Sequence, residues 1–178
     1  MTSLLEVLAG GAGAAIQDLG RSGWKRFGIS PGGAMDVDSA RKANLLVGND
    51  EGAPVLELLF TGAKFRVLGA GEMAIAGADV DCEWPRWRNF SVASGDEISF
   101  GKLRAGVWTY LAVRGGFVAP RWFGSASVHF RAGFGDGLRP GAQLSCAESQ
   151  RSEISSRFVP ELIRERYDQA PALACTKY

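Results

Sequence analysis

Glycine constrains this chain more than any other residue: 24 of its 178 positions, most of them set between short apolar runs. Glycine weakens the interior of a helix or strand but supplies the backbone conformations that tight turns need. A chain punctuated in this way is built from many short elements. The apolar runs cover residues 4–8, 55–60, 63–68, 72–76, 90–93, 97–100, 107–113 and 143–146. Several alternate with period two, and turn signals follow closely at Gly62, Gly69-Ala70-Gly71, Ser94-Gly95-Asp96, Gly101 and Gly115-Gly116. Short strands at regular intervals predict an all-β barrel or sandwich rather than alternating βα units. With 46% hydrophobic residues the chain can bury one proper core.

One short helix is predicted over residues 37–47. Asp36 or Asp38 can cap it, because a carboxylate accepts the free N–H groups there and suits the positive end of the helix dipole. Ala40, Ala43 and Val47 form a stripe with Leu46 beside it, Arg41 and Lys42 face outward, and Gly48 stops the helix. From Glu148 to Tyr167 charge rises, glycine vanishes and Pro160 interrupts a pattern that could be helical. The expected division is a barrel over residues 1–147 and a charged linker or tail over 148–178.

Several function classes are set aside at this stage. Lys+Arg 20 against Asp+Glu 19 leaves a net charge of +1, so no overall field points to nucleic acid or an anionic membrane. No apolar run is long enough to span a bilayer, and the first residues lack the basic start and apolar core of a secretion signal. Cys82, Cys146 and Cys175 are widely spaced, and His129 is the single histidine, a pattern that supports neither a zinc site nor a disulfide framework. The expectation is a reduced, soluble, cytoplasmic protein that holds no metal. Leu4-Leu5-Glu6-Val7-Leu8 followed by Gly11-Ala12-Gly13-Ala14-Ala15 imitates a strand entering a dinucleotide loop. That chemistry needs a helix directly after the glycines, and Gly20 and Gly23 leave no room for one. No Gly-Lys-Ser/Thr of a Walker loop follows either.

The densest chemistry lies in two loops, Gln17-Asp18-Leu19-Gly20-Arg21-Ser22-Gly23-Trp24 and Gly32-Gly33-Ala34-Met35-Asp36. Ordering a loop costs conformational entropy, so fixed polar groups packed into one point to a site. Arg21 is a planar donor suited to a carboxylate, Asp18 and Asp36 are candidate acceptors or bases, and Gln17 and Asn44 can read an amide from either side. Glu57 interrupts an apolar strand, where a carboxylate must be paired or functional. Arg114, before Gly115-Gly116, is a second candidate anion holder. Structural roles stand beside these: Asp18 and Arg21 as an ion pair pinning a loop, Asp36 as a helix cap, Asn44 and Asn49 as turn residues, and His129 as a structural group. Trp84, Trp87, Trp122 and Phe123 fit a barrel lid or an interface.

These motifs, in order, resemble the biotin-dependent carboxyltransferase family. The family includes the C subunit of 5-oxoprolinase, allophanate hydrolase subunit 2, the antagonist of a sporulation-kinase inhibitor, and part of the carboxyltransferase domain of urea carboxylase. The similarity begins with Gln17-Asp18-x-Gly20-Arg21-x-Gly23 and Gly28-Ile29-x-x-Gly32-Gly33-Ala34-Met35-Asp36. It continues through Ala43-Asn44-Leu45-Leu46-Val47-Gly48-Asn49, Leu56-Glu57, Ile75-Ala76-Gly77-Ala78-Asp79, Gly95-Asp96, Tyr110-Leu111-Ala112-Val113-x-Gly115-Gly116 and Phe123-Gly124-Ser125-x-Ser127. The resemblance implies a cyclophilin-like β-barrel, here the first half of a two-part architecture. Two departures accompany it: Pro140-Gly141-Ala142-Gln143 replaces a Gly-Asp turn, and residues 134–139 are shortened.

The resemblance also implies a component of an amide- or lactam-processing complex, inactive alone. Its substrate-binding residues would be Gln17, Asp18, Arg21, Met35, Asp36, Asn44, Glu57 and Arg114, with no catalytic base assigned. ATP or biotin would come through partner subunits. One of these would be a cyclophilin-like chain resembling the B subunit of 5-oxoprolinase, with room for a third component. The alternatives are a regulatory protein that antagonises a partner barrel and an inactive remnant.

Overall fold

The computed structural model describes residues 2–148 and 155–168. Its strands are β1 (Thr2–Gly10), β2 (Ala14–Gln17), β3 (Val55–Leu59), β4 (Ala63–Val67), β5 (Gly71–Val80), β6 (Asn89–Val92), β7 (Glu97–Ser99), β8 (Leu103–Val113) and β9 (Gln143–Cys146). Two α-helices join them, α1 (Val37–Leu46) and α2 (Glu161–Asp168). The strands divide into two antiparallel sheets, ordered β7-β4-β1-β9 and β2-β3-β8-β5-β6. The chain is therefore mostly β as the glycine pattern indicates, but it forms two sheets, not one continuous barrel wall.

The sheets pack face to face over one core. Leu5, Val7, Phe65, Val67 and Ile98 come from the first, and Leu56, Leu58, Met73, Ile75, Leu111 and Val113 from the second. Each such side chain taken fully out of water stabilises the fold by about 1.5–3 kcal/mol. The far face of the five-stranded sheet is covered as well, by Ala40, Ala43, Leu46 and Val47 of α1 and its C-cap against Val55, Ala74, Ala76, Tyr110 and Ala112. Strands β3, β5 and β8 are thus buried on both sides, which is why they read as mostly apolar runs, β3 broken only by Glu57. Strand alternation sends Leu56 and Leu58 between the sheets and places Glu57 on the helix face, directly opposite Tyr110 of β8.

Helix α1 starts where its sequence indicates. Asp36 is the N-cap: its carboxylate accepts from the Ser39 N–H at 3.0 Å and from the Ser39 hydroxyl at 2.5 Å. Gly48, at φ 75°, turns the chain away after the last helical residue.

One expectation needs correction, and one strand goes unread in the sequence. A second helix, α2, follows the charged segment, so the prediction of one helix fails. Pro160 precedes this helix, and its carbonyl accepts from the Ile163 and Arg164 N–H groups at 3.0 and 3.2 Å. Residues 157–159 lie beside β6, with Asn89 and Arg157 exchanging backbone and side-chain hydrogen bonds and Val159 buried over Trp87. Strand β2 is the other difference, since its four residues sit between glycine-rich turns and show no pattern of their own. The preceding glycines feed this strand and no helix, so they build no phosphate cradle.

Candidate functional site

Strand β2 delivers Gln17 to the sheet edge, and the chain then folds over the 122–128 segment. Asp18, 5% exposed, accepts four hydrogen bonds there. The donors are the Gly20 N–H at 2.7 Å, the Ser125 and Ser127 hydroxyls at 2.6 Å each, and the Ala126 N–H at 2.7 Å. Burial alone would push this carboxyl up. The bonds from Ser125, Ser127, Ala126 and Gly20 together outweigh it and hold the group below the usual carboxylate range.

Arg21 is 2% exposed and faces the opposite kind of surroundings. Its guanidinium donates to the carbonyls of Trp122 at 3.3 Å, Ser30 at 3.4 Å and Ser127, and it lies 4.9 Å from the centre of the Phe134 ring. Gly32 makes this possible: at φ 59°, any Cβ there would stand 2.8 Å from Nη1. Asp18 and Arg21 therefore do not pair with each other. Each uses its polar atoms to tie the first loop to residues 122–128, with Arg21 also gripping the second loop through Ser30. Gln17 adds a bond from Nε2 to the Val128 carbonyl at 3.1 Å, while its Oε1 is buried without a protein partner.

The second loop crosses this cradle and ends over Glu57. The Ala34 N–H donates to the Asp18 carbonyl at 2.9 Å, the Met35 N–H to Glu57 Oε2 at 2.7 Å, and the Asp36 N–H to the Tyr110 hydroxyl at 2.7 Å. The Tyr110 hydroxyl in turn donates to Glu57 Oε2 at 2.8 Å. Both bonds fall on Oε2, leaving Oε1 without a protein partner among the described residues. Burial pushes the Glu57 carboxyl up, and the Met35 and Tyr110 bonds offset only part of that rise. Burial, then the Glu57 charge, also raises the Tyr110 hydroxyl, which stays protonated as a donor.

The other proposed residues lie elsewhere or serve differently. Met35 is 67% exposed at the loop tip, and Asp36 is occupied as the helix cap. Asn44 donates to the Glu51 and Ala53 carbonyls at 3.2 and 2.8 Å and accepts from Asn49, whose own side chain reaches Val113 and Gly115. It braces the turn after α1. Arg114 lines a separate cleft of about 440 Å³ with Glu72, Ser91, Cys146 and Glu148. His129 caps a short turn through Nδ1 to the Ala132 N–H at 3.2 Å. Cys82 and Cys146 are free, half-buried thiols, and Cys175 lies outside the described residues. Among the described residues no group of His, Cys, Asp or Glu side chains is placed to hold a metal, and no described helix is long and apolar enough to cross a membrane.

Three residues of the two clusters are missing from the set that sequence reasoning selects: Ser125, Ser127 and Tyr110. The alternating Ser125-Ala126-Ser127 is the signal for the first two, since period-two hydroxyls point to one side of an extended segment. Tyr110 is legible as the polar-tipped residue in the apolar run of β8, whose buried hydroxyl has to find a partner.

A family model of the carboxyltransferase domain, subdomain A and B, matches residues 27–177. The chain belongs to this carboxyltransferase-domain family. It is 34% identical over 172 residues to the C subunit of 5-oxoprolinase from Escherichia coli (strain K12), a match covering 90% of this chain and 54% of that one. Urea amidolyase of Saccharomyces cerevisiae is 38% identical over 130 residues, covering 70% of this chain and 7% of the larger enzyme. Among solved structures, that of TTHA0988 superposes with a TM-score of 0.83 at 33% identity, covering 89% of this chain and 33% of that one. The Kluyveromyces lactis urea carboxylase gives 0.77 at 34% identity, covering 90% and 16%. This carboxyltransferase-family chain spans about half the length of the 5-oxoprolinase subunits it matches.

Proposed function

We propose that the chain is one component of an amide- or lactam-processing complex, of the kind that the C subunit of 5-oxoprolinase and urea carboxylase represent. The supporting observation is Glu57: a buried carboxylate with one oxygen fixed by Met35 and Tyr110 and the other without a protein partner among the described residues. Amide nitrogen chemistry needs an acceptor for the N–H that reacts, and a raised carboxyl with one open oxygen suits that role. In this scheme Glu57 Oε1 receives the substrate N–H, while Asp18 and Arg21 hold the two loops in position. Gln17, Met35 and Asp36 border the same loops and complete the substrate-binding set, with Asn44 bracing α1 from below and Arg114 acting at its own cleft. The fold is cyclophilin-like in this proposal, by resemblance to the family. ATP or biotin comes from partner subunits, a cyclophilin-like one resembling the B subunit of 5-oxoprolinase among them, and the complex works in the cytoplasm.

The test is a reconstitution by omission. Purified chain is mixed with the partner subunits encoded in the same genome, and glutamate release from 5-oxoproline is followed with and without ATP. Turnover that needs ATP and every subunit is the expected result. Full turnover with this chain left out would overturn the proposal, as would a stable complex inactive on 5-oxoproline and urea alike, which fits the regulatory alternative.

A further inference from the structure

Residues 24–27 and 123–134 carry a row of aromatic rings that Glu57 does not account for. The Phe27 and Trp24 ring centres are 5.8 Å apart, Trp24 and Phe123 4.9 Å, and Phe123 and Phe134 5.7 Å. Three of these rings face solvent, Phe27 at 61%, Phe123 at 43% and Trp24 at 37% exposure. Phe123 stands in a tight turn closed by reciprocal backbone bonds between Trp122 and Ser125, and its φ of 54° is one that glycine or asparagine adopts far more readily. The strained backbone keeps a large ring partly in water, packed against Trp24 and Phe134 on one side and open on the other.

Charge is segregated onto the same surface. Residues 19–35 and 119–135 contain Arg21, Lys25, Arg26, Arg121 and Arg131, with Asp18, Asp36 and Asp136 at their ends, so these segments are more basic than the whole chain, which nets only +1. Arg21 is buried beneath the row, while Lys25, Arg26 and Arg121 are exposed at its edges. Clustered aromatic anchors with an arginine rim are the composition of a protein–protein interface. Rings presented on turns do not form the concave, enclosing site that a small molecule needs. A chain with almost no net charge is also poorly suited to nucleic acid.

We propose that this aromatic row is the docking face for a partner subunit whose own face is apolar at the centre and rimmed by carboxylates. The proposal rests on the complex-component function above and names the surface through which assembly occurs.

The experiment measures binding of the full chain to its purified partner subunits, the cyclophilin-like one and the third component, by biolayer interferometry at two salt concentrations. Trp24→Ala, Phe123→Gly and the double charge reversal Lys25→Glu/Arg26→Glu are compared with wild type. Arg121 is left unchanged because its guanidinium lies 3.8 Å from the buried Asp18 carboxylate. Phe158→Ala/Leu162→Ala, at a different exposed apolar patch, serves as the control. The expected result is binding weakened at least 30-fold in each of the three variants and unchanged in the control, with the charge reversal most damaging at low salt. Phe123→Gly relieves the positive φ, which offsets the ring contacts it removes, so a melting temperature within a few degrees of wild type separates lost docking from lost folding. Wild-type binding that the three variants leave intact would overturn the docking face while the complex-component function stands. Wild-type chain that binds neither partner would overturn both. Self-association, or retention of a labelled single-stranded oligonucleotide, that disappears in the same variants would assign the surface to another occupant and overturn the proposal.

Discussion

Asp18→Ala is expected to be the most damaging single substitution in the chain, lowering the unfolding free energy by about 3–5 kcal/mol. The carboxylate is the common acceptor for Gly20, Ser125, Ala126 and Ser127, all in a buried setting. Its removal leaves two backbone donors and two hydroxyls to find partners in a space closed to water. It also removes the carboxylate that the Arg121 guanidinium approaches at 3.8 Å. Against a total stability of roughly 5–15 kcal/mol such a loss is severe, and the melting temperature should fall by about 6–20 °C. The pH dependence identifies the cause. The folded carboxyl titrates below its unfolded value, so its contribution is fully present above the unfolded pKa of about 4 and is lost as pH falls through the folded pKa. Melting curves of wild type and Asp18→Ala should therefore converge below about pH 4. A gap that stays constant into acid would mean that packing, not the ionised carboxylate, holds the loop.

Glu57→Gln is expected to behave in the opposite way, with little or no loss of stability and a large loss of turnover. Glutamine keeps the shape and one oxygen acceptor, so the Met35 and Tyr110 bonds can persist. Burial raises the Glu57 carboxyl, so its favourable contribution is full below the unfolded pKa and is lost as pH rises through the folded pKa. Burying the charged form carries a cost that grows as pH rises, and the amide removes that cost. The melting temperature of Glu57→Gln should then equal wild type near pH 4 and match or exceed it at about pH 7–8. A group kept against its own stability gradient is the usual mark of function rather than architecture.

The layered β architecture was legible because both of its signals are local. Glycine spacing marks the turns, and the doubly buried strands β3, β5 and β8 show as mostly apolar runs, with Glu57 the exception in β3. The start of α1 at Asp36 was legible for the same reason, since a cap acts within three residues. The partition into two sheets and the β2–β3 pairing depend on contacts some forty residues apart, which periodicity does not encode. At the site, sequence could nominate Asp18, Arg21 and Glu57 as charges in unusual places. It could not show that Asp18 and Arg21 turn to the 122–128 segment in place of each other, because Ser125 and Ser127 meet them from more than a hundred positions away. Arg114 illustrates the converse: a plausible anion holder by type that the topology delivers to a different cleft.

The most direct measurement is turnover of the reconstituted complex carrying Glu57→Gln, with its melting curve recorded on the same preparation. The expected result is a kcat on 5-oxoproline lowered by about 100-fold or more with assembly and melting temperature unchanged. Full activity in a folded, assembled Glu57→Gln complex would contradict the assignment of Glu57 as the substrate-facing group.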